Sequence, residues 1–379
     1  MADRDALVAR IAPGVGTIAA ADWDACAGTG NPFLSHAFLS ALEDSGSVGG
    51  RSGWQPLPLC IDAADGHLAA GLPAYAKTHS QGEYVFDHAW SDAYERAGGD
   101  YYPKLQIAVP FTPVPGPRLL TRDPALAPAL LAAAQTLVTD NGLSSAHATF
   151  IDEAELPIFA RAGWLTRTDR QFHWHNDGYR SFDDFLAALA SRKRKAIRKE
   201  REAALEGLAI RRIEGRDITE GDWDAFWEFY QDTGSRKWGR PYLTRRAFSL
   251  LGERMPGSIL LFLATRAGSP IAGALNFIGA DTLYGRYWGA VEEVPFLHFE
   301  LCYYQAIEAA IERGLSRVEA GAQGEHKLAR GYVPVATHSA HFIAHPGLRA
   351  AVADYLEAER RAIADNIAFL GEMTPFKKS

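Results

Sequence analysis

The stretch ERGLSRVEAGAQGEHKLARGYVP, residues 312–334, decides how this chain is read. A helical pattern stops at Gly314, a short strand begins at Ser316, and polar heads then crowd onto very little bulk. If SRVEAGAQ is a strand, side-chain alternation puts Glu319, Gly321 and Gln323 on one face, with Glu319 and Gln323 about 13 Å apart. Gln323, Glu325, His326 and Lys327 gather at the strand's C-terminal end, where open α/β sheets bind ligands. EHKLARG reads as a short helix closed by Gly331, with His326 and Arg330 sharing a face. The glycines let a ligand come close to the backbone. The stretch predicts the floor of a polar site.

Working outward, the same order of elements occurs twice. DNGLSSAHATFI (140–151) resembles ERGLSRVEAGAQ (312–323), each a helix end at Gly followed by a strand. HLAAGLPAY (67–75) resembles PIAGALNFI (270–278), each the second strand of a hairpin. FARAGW (159–164) parallels LARGYV (328–333). Three matches in one order predict a duplicated unit of β-hairpin, helix, strand, helix and strand. The first copy carries an extra segment, SQGEYVFDHAWSDAYERAGGDYYPK. The expected boundary lies near Gly178, giving domains 1–178 and 179–379, with one long helix over 181–207 joining them. The fold class is α/β, each domain a mixed, mostly antiparallel sheet flanked by helices.

Composition narrows the function. With 379 residues, 47% hydrophobic and 11% aromatic, the chain is a folded protein with room for two domains. A net charge of −7 argues against a general nucleic-acid binder, DNA included, and leaves room for one local basic patch. Three scattered cysteines give neither a disulfide framework nor a zinc site. His173 and His175 share a strand face, but no third ligand follows, so no metal is expected. MADRDALVAR has no apolar signal region, and no apolar run approaches a membrane span. A cytoplasmic protein without a transmembrane segment is expected.

The element order, together with EYVFDHAW, QFHWHNDGY, SRKRKAIRKER, IAGALNF, GRYWGA, LHFELCYYQAIE and EAGAQGEHKLARGY, resembles the FemAB-like proteins. These are a bacterial group of predicted N-acyltransferases with tandem GNAT domains, related to the Fem transferases of peptidoglycan. The resemblance covers nearly the whole chain. It implies a sheet that splays between its fourth and fifth strands, here TLYGRYWGAV and SRVEAGAQ, with the activated donor in the gap. It implies transfer of an acyl or aminoacyl group to a small-molecule or peptide amine, from acyl-CoA or aminoacyl-tRNA as co-substrate, with no tightly bound cofactor. A non-catalytic binding protein on a degenerate GNAT scaffold is the rival reading.

The resemblance also assigns roles. Lys327 lies where Fem transferases carry a lysine near the transferred carbonyl, and is expected to stabilise the oxyanion. Glu319, His298 and His326 are candidates for the base that takes the acceptor's proton. Glu319 reads equally as the ion-pair partner of Arg286 or Arg330, and His298 reads first as a helix cap. Arg286, Trp288, Gln323 and Arg330 are expected to bind the donor, with Arg194 and Arg198 of the basic run gripping its phosphates or tRNA. Tyr84, Asp87, Lys104 and Gln106, in or beside the extra segment, are expected acceptor contacts. An acetyl-CoA enzyme of the superfamily cradles pyrophosphate on backbone N–H groups after the fourth strand. PFTPVPGPRLL cannot do this, because Pro110, Pro113, Pro115 and Pro117 lack the donor, and it is expected to form a rigid groove wall. In the second half Glu292 and Glu293 would repel a pyrophosphate.

Overall fold

The computed structural model describes residues 8–238, 241–322 and 324–377, with the backbone alone over 233–238. Two compact units are present. One takes Met1–Asp169 and Ala336–Ala364, the other Arg170–Val335 and Asp365–Ser379. The division thus falls at 169/170, where the sequence suggests about Gly178, and the chain returns to the first unit near its end. The return has a packing cause. Strand β15 (Val333–Ile343) pairs antiparallel with β8 (Ser145–Ile151) from His338 onward, and Leu348, Val352 and Leu356 of the helix that follows pack with Trp90 and Tyr101.

The first unit holds two sheets. One orders β1 (Ala9–Ile11), β3 (Leu59–Asp62), β4 (Leu68–Leu72) and β7 (Leu120–Thr121). The other runs from β2 (Trp54–Pro56) through β5 (Ala74–Lys77) and β6 (Lys104–Ile107) to β8 and β15. Strands β6 and β8 run parallel, over Leu105↔Ala146 to Ile107↔Ala148. Leu130, Leu131, Ala134 and Val138 of the helix Ala127–Asp140 bury their stripe against these strands, at the three- and four-residue spacing that one helix face requires.

The second unit orders β10 (Ala209–Glu214), β11 (Ile259–Arg266), β12 (Ser269–Ile278), β13 (Thr282–Ala290), β14 (Arg317–Glu319) and the end of β9 (Leu165–His175). Its core strand, ILLFLATR, is buried at every position but the last. Such an unbroken apolar run belongs to a strand covered on both faces. The helix Gln305–Glu312 buries Ala306, Ile307, Ala309, Ala310 and Ile311. The helix Glu220–Trp238 approaches β13 so closely that Phe229 backbone occupies the place of a side chain at Gly289. Both units therefore have the expected class: mixed, mostly antiparallel sheets flanked by helices.

Two local expectations change. The single helix over 181–207 is two, Phe182–Ala188 and Ser191–Leu205. Leu189 turns extended, is fully buried, and bridges to Phe376. Burying a leucine and gaining a bridge offset the interrupted helical ladder. The strand expected over 316–323 stops at Glu319 after three residues. The expected strand face therefore ends at Glu319, and Glu325, His326 and Lys327 stand on the short helix Glu325–Arg330.

The β11–β12 hairpin closes on two residues, Ala267 (φ 48°) and Gly268 (φ 86°). Positive φ at both is the type I′ geometry that suits the twist of a hairpin and favours Asn-Gly. Alanine there is strained by about 1 kcal/mol. Ala267→Asn is expected to raise the urea midpoint by an amount corresponding to roughly 0.5–1 kcal/mol; a lowered midpoint would refute the turn assignment.

Candidate active site

The site lies in the second unit, where β13 and β14 part. They pair in parallel through Thr282↔Arg317, Leu283↔Val318 and Tyr284↔Glu319, and there the ladder ends. Strand β13 continues to Ala290, while the other chain turns away through Gly321 (φ 77°) and Gly324 (φ 117°). Opposite, the β12–β13 register slips: Asn276 faces Gly285 but Leu275 faces Tyr287. Arg286 is the extra residue of this bulge, a device that re-aims side chains beside functional sites.

Arg286 spans the opening. Its Nη1 donates to the carbonyls of Gly285 and Glu319, both at 3.1 Å, and its Nη2 donates to Glu319 Oε2 at 2.9 Å. The two side chains are 1% and 2% exposed. Of the two readings of Glu319, the structure shows the ion pair with Arg286. Burial pushes the Glu319 carboxyl up, against the pull of Arg286 and Arg317. His173, on β9, is held well below the ordinary imidazole range by burial and by Arg317, and shares a hydrogen bond with Gln171 Oε1 at 3.1 Å. Beyond the last ladder pair lies a cavity of about 100 Å³, lined by Asn276, Gly285, Arg286, Trp288, His298 and Cys302 among others.

Lys327 sits beside this slot on the short 3₁₀ helix Glu325–Arg330, closed as expected by Gly331 in the left-handed region. It is 1% exposed, and its Nζ donates to Gly321 O at 2.9 Å, one residue from cavity-lining Ala320. Burial pushes its ammonium down to about 7, and the charge of Arg286 acts in the same direction. His298 lines the cavity, edge-on to Trp288 at 5.2 Å and to Tyr303 at 5.4 Å. His326 lies further out, exposed, with its Nε2 2.8 Å from Tyr303 Oη.

Other predicted residues are engaged elsewhere. Arg330 donates to Glu200 at 2.9 and 3.0 Å and to His326 O, and stacks on Phe299. Its charge is satisfied within the protein. Arg194 and Arg198 stand on the basic helix Ser191–Leu205, half-buried and exposed respectively, with Arg198 paired to Asp183 at 3.1 Å. Gln323 lies outside the described residues.

In the first unit, Asp87, Lys104 and Gln106 are buried. Lys104 Nζ donates to Asp87 at 2.5 Å, to Glu83 at 2.7 Å and to Ser80 at 2.8 Å, and Gln106 donates to Thr149. Burial opposes ionisation of Asp87, but Lys104 overcomes it and holds the carboxyl low. Tyr84 is half-buried with φ 60°. The structure thus gathers Lys327, Glu319, Arg286, Trp288 and His298 around the slot, and places Asp87, Lys104 and Gln106 in the core of the first unit.

The first unit has the same parallel pair, β6 with β8, yet fills the corresponding opening. After Ile107 the chain leaves the ladder and returns at the Gly116↔Ile151 bridge. Arg118, fully buried, donates to the carbonyls of Thr149, Gly116, Pro117 and Val114. The proline-rich segment is therefore packed interior and not a groove wall, because Arg118 satisfies the carbonyls that the departing chain leaves unpaired.

Sequence reasoning passed over Asn276, Gly285, Cys302 and Tyr303 as site residues. A lone amide in the apolar strand IAGALNF was a signal. Among the described residues no three His, Cys, Asp or Glu side chains group to hold a metal, and no helix is long and apolar enough to cross a membrane.

A parallel strand pair that opens in mid-sheet, on a sheet of this order flanked by helices, is the arrangement of a GNAT-like fold. A family model, FemAB-like, peptidoglycan biosynthesis/recognition, matches residues 14–378. The chain belongs to the FemAB-like family. The structure of FemX superposes with a TM-score of 0.55 at 12% identity, covering 89% of this chain and 98% of that one. L-PGS from Bacillus licheniformis gives 0.51 at 9% identity, over 92% and 98%. The C-terminal domain of a putative lysylphosphatidylglycerol synthetase from Agrobacterium fabrum gives 0.51 at 11%, over 88% and 94%. No curated protein matches significantly.

If Arg286 and Glu319 hold the mouth of the slot as a pair, breaking it strands a buried charge. Glu319→Leu alone is expected to cost about 3–5 kcal/mol, and adding Arg286→Met should recover much of it. Urea unfolding of the four proteins measures this; additive losses would show that the two side chains act separately.

Proposed function

We propose that this protein transfers an acyl or aminoacyl group from an activated donor, acyl-CoA or aminoacyl-tRNA, to an amine, by direct attack at the slot of the second unit. The observation that carries this reading is the parallel pair that ends at Tyr284↔Glu319 and gives way to a cavity. A carbonyl in that cavity would lie beside Lys327, and no nucleophilic intermediate is required of the enzyme. The family's description supports a peptide amine of peptidoglycan biosynthesis as the acceptor.

The role of Lys327 is to donate to the oxyanion that forms as the amine adds. An ammonium whose acidity lies near neutrality is a strong donor to a developing negative charge, and in a dry site such a donor contributes on the order of 3 kcal/mol to the barrier. Its pre-existing bond to Gly321 O fixes the stem before substrate arrives. Glu319 is committed to Arg286, so it orients the slot. Of the predicted bases, His298 is the one that lines the cavity, and it is the group proposed to take the acceptor's proton. The exposed basic residues Arg192, Lys193 and Lys195, near the start of the helix Ser191–Leu205, offer a phosphate-rich donor an approach that salt would weaken.

Purified protein incubated with a panel of acyl-CoAs and charged tRNAs, with peptidoglycan-precursor amines as acceptors, is expected to yield an amide product detectable by mass spectrometry. Stabilisation by donors without any product would favour the binding-protein reading. Lys327→Met should lower turnover roughly 100-fold or more. The sign of the pH effect follows from the depressed ammonium: the active, protonated form is present below about 7 and is lost above it. With methoxyamine, an acceptor that stays neutral throughout, the rate should fall as pH rises through that value, and Lys327→Arg should abolish the fall. A rate that climbs instead, and no longer climbs in Lys327→Arg, would make Lys327 the base.

A further inference from the structure

Gly285 stands at the floor of the slot with an ordinary backbone conformation, so its lack of a side chain is not demanded by φ. A Cβ there would meet three oxygens: Asn276 Oδ1 at 3.3 Å, Glu319 O at 3.7 Å and Cys302 O at 3.8 Å. All three are acceptors. Cys302 belongs to the five-residue π-helical segment Glu300–Tyr304, a distortion frequent at functional sites.

Asn276 is the telling member. It is 0% exposed, and its Nδ2 donates to Leu260 O at 3.3 Å and Ala274 O at 3.2 Å. Two carbonyl partners fix the amide's orientation, since the reverse would set oxygen against oxygen. Oδ1 is thereby turned toward the slot, and among the described residues it accepts no hydrogen bond. A buried amide oxygen left unpaired is destabilising, and a ligand's N–H would relieve it. Arg286 and Glu319 beside it neutralise each other as a buried pair.

We propose that this floor is a recognition site for a primary ammonium on a short stem, held by Asn276 Oδ1 and the carbonyls of Glu319 and Cys302. The proposal rests on the slot being the site of transfer. A cavity of about 100 Å³ admits only a few heavy atoms. An amine ringed by three acceptors is kept protonated and cannot attack a carbonyl. The ammonium held here therefore belongs to the group being transferred, an α-aminoacyl group, while the attacking amine arrives from outside the floor. Asn276 becomes a specificity residue that separates aminoacyl donors from plain acyl donors.

Fragment titrations monitored by the amide resonances of β12 and β13 test this without turnover. Alaninamide is expected to bind at least ten-fold more tightly than propionamide, which lacks the ammonium, and than n-propylamine, which lacks the carbonyl. Gly285→Ala, whose added methyl fills the floor, should abolish that preference while keeping the wild-type circular dichroism and melting temperature. Asn276→Leu should do the same and serves if Gly285→Ala misfolds. Equal binding of propionamide, or an undiminished preference in both variants, would overturn the site; equal binding of n-propylamine would overturn its assignment to the transferred group. Because no transfer is read, these failures are separate from failure of the transferase reading, which the product assay decides.

Discussion

Two parallel strands that part in mid-sheet leave backbone groups without partners, and the Arg286–Glu319 pair is what makes the parting tolerable. At the last rung the guanidinium takes over the carbonyl of Glu319 and the carbonyl of Gly285, and in the same reach neutralises a buried carboxylate. Buried polar backbone must be satisfied somewhere, and a long planar donor set does so across a gap that no N–H can bridge. The bulge that makes Arg286 the extra residue is the local means of delivering it there. The position of the lysine and the shape of the cavity follow from where that ladder stops.

The first unit answers the same problem differently. Its parallel pair also runs for three rungs, but a returning loop and the Arg118 guanidinium close the opening, with Glu155 accepting from the amides of Arg118 and Leu119. One copy of the duplicated unit thus has its opening filled from within, while the other keeps a cavity lined by aromatics and one oriented amide. An arginine serves both ends, as plug in one case and as strut in the other, because it can satisfy several carbonyls at once.

Much of this was legible in the residues. The duplication, the mixed α/β class, Gly331 as a helix stop and the pairing open to Glu319 all rest on local pattern or on adjacent elements. What was not legible depends on partners distant in sequence. Arg330 reads as a ligand-facing cation until Glu200, 130 positions earlier, is seen to hold it. Asp87 and Lys104 read as acceptor contacts in or beside an extra segment, yet they neutralise each other in a core. Leu189 breaks a helix of good propensity because Phe376 offers it a bridge. Asn276 was visible as an amide among apolar neighbours, but which of its atoms faces the slot is set by the carbonyls of Leu260 and Ala274, and no sequence pattern reports that.

Cys302 offers the most direct test that the opening is where the transferred group rests. It lines the cavity and is half-buried, whereas Cys26 and Cys60 are buried in the first unit. Rates of alkylation by iodoacetamide, read cysteine by cysteine by mass spectrometry, should show Cys302 reacting first and becoming protected when alanyl-tRNA or acetyl-CoA occupies the slot. Alkylation of Cys302 at an unchanged rate in the presence of a donor that the protein consumes would contradict the account.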